Sequence, residues 1–173
     1  MKRSRIIALI FVVIALGLVG LISYRFFYIK KIRSNTIERT LAIIKPDAVR
    51  AKNTGKIIDR IEQEGFTVID LKKVTLDREP AEQLYQKDKN KSFFSGVIDF
   101  MTSGPVVALI LEKVNAIADF ADLVGNVDPR KAGDRTLRRQ FGTDIRHNGV
   151  HGSDSPENAQ REIKLFFADR FKM

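Results

Sequence analysis

Hydrophobic and polar positions fall into blocks of distinct period along this chain. Arg39-Thr-Leu-Ala-Ile-Ile-Lys45 is a nearly continuous apolar run, which predicts a mostly buried strand closed by Pro46. Asn53 or Thr54 then caps a helix that presents Ile57, Ile58 and Ile61 and stops at Gly65. Phe66–Leu71 alternates with the period of a second strand. Helical spacing recurs over 79–88 and 92–102, and Pro105–Leu111 reads as a buried strand. Ile117, Phe120, Ala121 and Val124 mark one helical face that ends at Gly125. A basic loop over 126–146 precedes a short strand near Gly149–His151. Ser155-Pro156 opens a last helix with Ala159, Ile163, Phe166 and Phe167 inward. This order predicts an α+β domain of the split βαβ kind, its sheet covered on one face. No internal repeat, low-complexity tract or second folded domain is present.

One block has no polar face. Residues 6–24 hold 19 uncharged positions, nearly all Ile, Leu, Val, Ala, Gly or Phe, and as a helix would run about 29 Å, the thickness of a bilayer's hydrocarbon core. Tyr24, Phe26, Phe27 and Tyr28 follow, then Lys30, Lys31 and Arg33, the order of an aromatic belt with basic anchors. The expectation is a single-pass membrane anchor over 1–29, a basic linker over 30–37 and a folded domain over 38–173. The competing reading is a cleaved signal peptide, but no small-x-small cleavage site follows the apolar run. Basic residues before and after the span nearly balance, so the positive-inside rule does not orient it.

Charge follows the same division. The 173 residues carry 30 Lys+Arg against 21 Asp+Glu, a net charge of +9, and residues 1–35 supply +7 of it with no acid at all. Residues 130–146 hold six basic side chains against Asp134 and Asp144, a local net of +4. The rest of the domain is slightly acidic, which argues against a general nucleic-acid surface and leaves one local basic feature. Zero cysteines exclude disulfides, thiol catalysis and cysteine-ligated zinc. The two histidines, His147 and His151, are not read as a conventional metal site.

Asn148-Gly149-Val150-His151-Gly152-Ser153-Asp154 carries the most chemistry. A histidine followed by glycine keeps its ring approachable, and His151 is the candidate nitrogen nucleophile. An imidazole in that role needs its far nitrogen fixed by an acceptor. In the last helix, Glu162 lies about 60° from Ala159 and flanks the inward stripe, whereas Glu157 points nearly opposite. The basic segment beside it, with Arg138 and Lys45, suits a polyphosphate. From these residues alone, a structural histidine, a solvated basic face and a core pair Phe93–Phe94 stay open as alternatives.

Taken together, the blocks Glu38-Arg-Thr, Ile44-Lys45-Pro46-Asp47-Ala-Val, Phe93-Phe94-Ser-Gly, Ser103-Gly-Pro-Val-Val-Ala108, Thr136-Leu-Arg138 and Asn148-Gly-Val-His-Gly-Ser-Asp154-Ser resemble the nucleoside diphosphate kinases over essentially all of 37–168. The resemblance implies a ferredoxin-like α/β sandwich with a four-stranded antiparallel sheet, assembled as a tetramer or hexamer. It implies ping-pong transfer of a γ-phosphate from a nucleoside triphosphate to histidine and on to a nucleoside diphosphate, with Mg2+ brought by the nucleotide and no metal ligand from the protein. By position, His151 matches the phosphorylated histidine and Glu162 the acid orienting it. Lys45 and Asn148 match contacts to ribose or phosphate, Arg138 a phosphate-binding arginine, and Phe93 the ring on which the base stacks. Tyr85 and Ser153 match neighbours of the histidine.

The chain also departs from the family. Ala121 stands where the family has an arginine, and Val127 where it has a threonine, both of which hold the β-phosphate. Arg135 or Arg130 is expected to compensate in part. A catalytically weak or inactive nucleotide-binding protein of the same fold is therefore the alternative function. Since a phosphotransferase needs nucleoside triphosphates, its domain is expected on the cytosolic side of the membrane.

Overall fold

The computed structural model describes residues 36–168. The expected membrane span at 6–24 and linker residues 30–35 lie outside the described residues, whereas Ile37, placed at the end of that linker, is the first residue of the first strand. Among the described residues no helix is long and apolar enough to cross a membrane.

Four strands form one sheet: β1 (Ile37–Ile44), β2 (Thr67–Thr75), β3 (Pro105–Val114) and β4 (Val150–Gly152). Their order is β2-β3-β1-β4, and every neighbouring pair is antiparallel. β1 pairs with β3 from Ile37↔Val114 to Ile44↔Val107, and with β4 through Ala42↔Gly152, Ile43↔His151 and Ile44↔Val150. The helices are α1 (Pro46–Arg50), α2 (Thr54–Gln63), α3 (Arg78–Leu84), α4 (Phe94–Met101), α5 (Ala116–Val124), α6 (Leu137–Phe141) and α7 (Pro156–Phe167). Short 3-10 turns lie at Gln86–Asp88 and Pro129–Lys131. This is the ferredoxin-like α+β arrangement, with β1 and β2 joined through α2 and separated by β3.

Burial corrects the expectation of a one-sided sheet. Ala42 and Ile44 of β1, with Leu109 and Leu111 of β3, pack against Ile57 and Ile61 of α2 and Phe120 and Val124 of α5. Leu41 and Ile43, with Ala108 and Ile110, pack on the opposite face against α3, α4 and α7. A strand apolar at every position is buried on both faces, unlike one that alternates. Each such Ile or Leu contributes roughly 1.5–3 kcal/mol on burial.

Other differences are local. Pro46 does not simply close β1; it is the first residue of α1, where its missing N–H and fixed φ suit a helix start. The buried side of α5 is Ala116, Phe120, Leu123 and Val124, and Ala121 is exposed. The basic loop contains α6, whose first turn is capped by the Thr136 hydroxyl accepting from the Arg139 N–H.

Candidate active site

β4 is three residues long, and its alternation sets the site. Val150 joins the core shared with α2 and α5, so His151, its neighbour, faces the opposite layer. There the ring meets Tyr85 edge-on, centroids 5.8 Å apart, and α7 brings Glu162 beside it. Gly152 turns back toward α5, where an added Cβ would sit 2.7 Å from the Phe120 ring.

Glu162 is almost wholly buried, and each of its oxygens is engaged. Oε2 lies 3.1 Å from His151 Nε2 and accepts from the Ser153 hydroxyl at 2.7 Å. Oε1 accepts from Arg161 Nη2 at 3.1 Å. Burial by itself would raise the Glu162 pKa, but the His151 hydrogen bond and charge, the Ser153 hydroxyl and Arg161 together hold it below the ordinary carboxylate value. An ionised carboxylate only accepts, so the proton sits on His151 Nε2. With that proton on Nε2, the lone pair of a neutral ring is on Nδ1.

His151 lies where two chambers meet. The first, about 690 Å3, is lined by Lys45, Phe93, Val97, Arg138, Ile145 and Asn148 among others. The second, about 450 Å3, runs past Lys87, Ala121, Val127, Ser153 and Asp154. Tyr85, Asp88, Val127, Arg138 and His151 belong to both. Phe93 is 47% exposed, and the first chamber also has the apolar side chains of Val97 and Ile145 on its wall, so the ring is open to a flat ligand rather than held in a core.

The cations are positioned differently from one another. Lys45 is buried, and its Nζ donates to Asn148 Oδ1 at 2.7 Å and to the Arg146 carbonyl at 2.8 Å, 5.0 Å from the Phe100 ring centroid. Two donated bonds leave its third N–H for a ligand oxygen. Asn148 gives both amide hydrogens to carbonyls, those of Val127 and Ile145; it holds the loop and orients Lys45, and only its oxygen keeps capacity for a ligand. Arg138 donates through Nη1 to the Gly125 carbonyl at 2.9 Å, and burial lowers its pKa. Gly149, at φ +76°, donates its N–H to Asp47 Oδ2 at 3.0 Å, which ties the entrance of β4 to the corner after β1.

Neither expected compensating arginine stands free in the site. Arg130 lines the first chamber, but its Nε and Nη2 both bond the Asp128 carboxylate at 2.9 Å. Arg135 borders a different cleft, with Arg60, Phe66 and Thr136. The structure also adds residues that no sequence pattern singled out. Arg161 joins Glu162 to the end of α3 by donating to the Gln83 carbonyl at 2.7 Å. Lys87 pairs with Asp154 across the second chamber. Both lie on polar helix or turn positions whose spacing looks like any solvated face, and only the approach of α3 to α7 makes them part of the site. His147 is committed to Asp144 at 2.9 Å and packs on Phe100; the bonds from the His147 N–H and ring push the Asp144 pKa down to about 2.

Comparison with known proteins agrees over the whole described domain. The family model for nucleoside diphosphate kinase matches residues 38–171. A nucleoside diphosphate kinase of Wolinella succinogenes is 51% identical over 134 residues, which span 78% of this chain and 98% of that protein. One from Nitratiruptor sp. is 49% identical over the same shares. The crystal structure of the Aquifex aeolicus nucleoside diphosphate kinase superposes with a TM-score of 0.74 at 44% identity, covering 76% of this chain and 96% of that one. That of Encephalitozoon cuniculi gives 0.75 at 35% identity, covering 79% and 92%.

Proposed function

Because this chain belongs to the nucleoside diphosphate kinase family, we propose that His151 carries the phosphate that it moves between nucleotides. The activity itself is that of the family: the terminal phosphate of a nucleoside triphosphate passes to a nucleoside diphosphate. One observation carries the assignment to His151. Nε2 is held by a buried carboxylate that is itself held by Ser153 and Arg161, which keeps the Nδ1 lone pair aimed at one place.

In the first half-reaction Nδ1 attacks the γ-phosphorus. The N–P bond forms as the bond from that phosphorus to the bridging oxygen breaks, and the nucleoside diphosphate leaves with the electron pair. In the second, a β-phosphate oxygen of another nucleoside diphosphate attacks the phosphohistidine and the N–P bond breaks. Glu162 stabilises the positive charge that the ring gains on phosphorylation. Arg138 and Lys45 offset the phosphate charge, since phosphoryl transfer depends mainly on positioning and electrostatics. Phe93 supplies a stacking face, which every base can use.

Mg2+ fits this site as part of the nucleotide. A hard ion that keeps its waters binds phosphate oxygens readily. Asp88, which lines both chambers, is the carboxylate that would receive those waters. When bound, the ion neutralises phosphate charge.

Residues 6–24 form a single-pass anchor that holds the domain on the cytosolic side, where nucleoside triphosphates are found. The chain assembles as a tetramer or hexamer, a reading supported by the edge strand β2, which leaves Ile69 and Leu71 exposed. The kinetic test of the reaction is the initial rate with both substrates varied. Parallel double-reciprocal lines are expected, and intersecting lines would contradict the phosphohistidine route.

A further inference from the structure

Ala121 and Val127 line the second chamber and offer an anion neither charge nor hydroxyl. An anion there needs a cation from elsewhere. Arg130 is not available cheaply, because its partner Asp128 is only 7% exposed and would keep only the Arg130 backbone N–H as a partner. Arg135 borders another cleft. Of the residues lining the second chamber, Lys87 and Arg138 are the permanent cations, and Arg138 is already tied to the Gly125 carbonyl.

Lys87 is placed and paired as an exchangeable cation would be. It sits in the 3-10 turn Gln86–Asp88, which follows Tyr85 directly, and Tyr85 packs on the His151 ring. Its ammonium pairs with Asp154, and the two side chains are 49% and 54% exposed. An exposed pair of this kind contributes little and is easily replaced. Asp154 also accepts from Asn158 Nδ2 at 2.6 Å, so the carboxylate keeps a partner when Lys87 leaves it.

We propose that Lys87 is a phosphate-binding residue of this site, exchanging Asp154 for the β-phosphate of the nucleotide. The proposal rests on the phosphotransfer reading of the site. The positive charge would arrive from the turn after α3.

Calorimetric titration of the full-length protein with ADP and with AMP tests it. Lys87→Met should raise the Kd for ADP about tenfold, the scale of one charge-assisted hydrogen bond, and leave AMP within about twofold. Lys87→Arg should keep ADP affinity, and Asp154→Asn should bind ADP at least as tightly as wild type, its competing carboxylate gone. Equal ADP affinity in wild type and Lys87→Met, equal losses for ADP and AMP, or the same loss in Asp154→Asn would each overturn the proposal. Phosphohistidine labelling of the wild type tests the underlying reading separately. A wild type that takes no label while Lys87→Met still weakens ADP alone contradicts that reading and supports this proposal.

Discussion

Lys45 is where a single residue's burial sets a pH dependence. Removing its ammonium from water lowers the pKa to about 8; Asp47 and Asp144 act upward and Arg138 downward. In the unfolded chain the same group titrates near about 10.4. Between those values the unfolded state holds more protons, so this group's contribution makes the free protein more stable as pH rises across that window. Nucleotide binding has the opposite sign, because the phosphate needs the charged form. The Kd for a nucleoside diphosphate should therefore rise as pH passes through about 8, and Lys45→Arg, which stays charged, should flatten that step. An unchanged step in Lys45→Arg would assign it to another group. Among single residues, the sequence carried much of the site. Glu162 could be preferred over Glu157 as the partner of His151 from its helical angle, because a regular helix fixes which side chains share its inward edge. Arg161 and Lys87 could not be placed, because the Gln83 carbonyl that anchors the first and the Asp154 that pairs with the second lie 78 and 67 positions away and nothing local marks the approach.

Among the elements, β4 bears the heaviest constraint. It is three residues long, and no position is spare, with Val150 in the core, His151 in the site and Gly152 against Phe120. An alanine at Gly152 would place Cβ 2.7 Å from that ring and would have to push β4 away from α5. Gly152→Ala is expected to cost roughly 1–3 kcal/mol, as overpacked positions do, and to lower the melting temperature by several degrees. It should also reduce phosphotransfer more than the stability loss explains, since His151 moves with the strand. A calorimetric scan beside a rate measurement checks both. The long elements were legible because their apolar periods are long enough to count. α1 and α6 have five residues each, too few for a period, and the turn chemistry of Pro46 and Thr136 is their only signal. The second covered face of the sheet was legible in principle from Leu41-Ala42-Ile43-Ile44, whose lack of alternation already requires two apolar layers.

For the whole molecule, the net charge of +9 describes no single surface. Most of it belongs to residues 1–35, and a smaller share to the segment that carries Arg138. The anchor reading predicts that the full-length chain stays with membranes through an alkaline wash, whereas a chain starting at residue 36 is released. The shorter chain should retain phosphotransfer, since both cores and both chambers are built from residues within 36–168. Release of the full-length chain by the wash would contradict the anchor. Protection of the domain from protease added to intact cells supports the cytosolic side, and its digestion contradicts that placement.

The reaction proposed for this site requires phosphate to pass through His151. Incubating the purified protein with a γ-labelled nucleoside triphosphate, without acceptor, tests that passage most directly. The expected label is acid-labile and alkali-stable, maps to His151, is absent in His151→Asn, and leaves on addition of a nucleoside diphosphate. Label on another residue, or its absence from a protein that still binds the nucleotide, would contradict the phosphohistidine route.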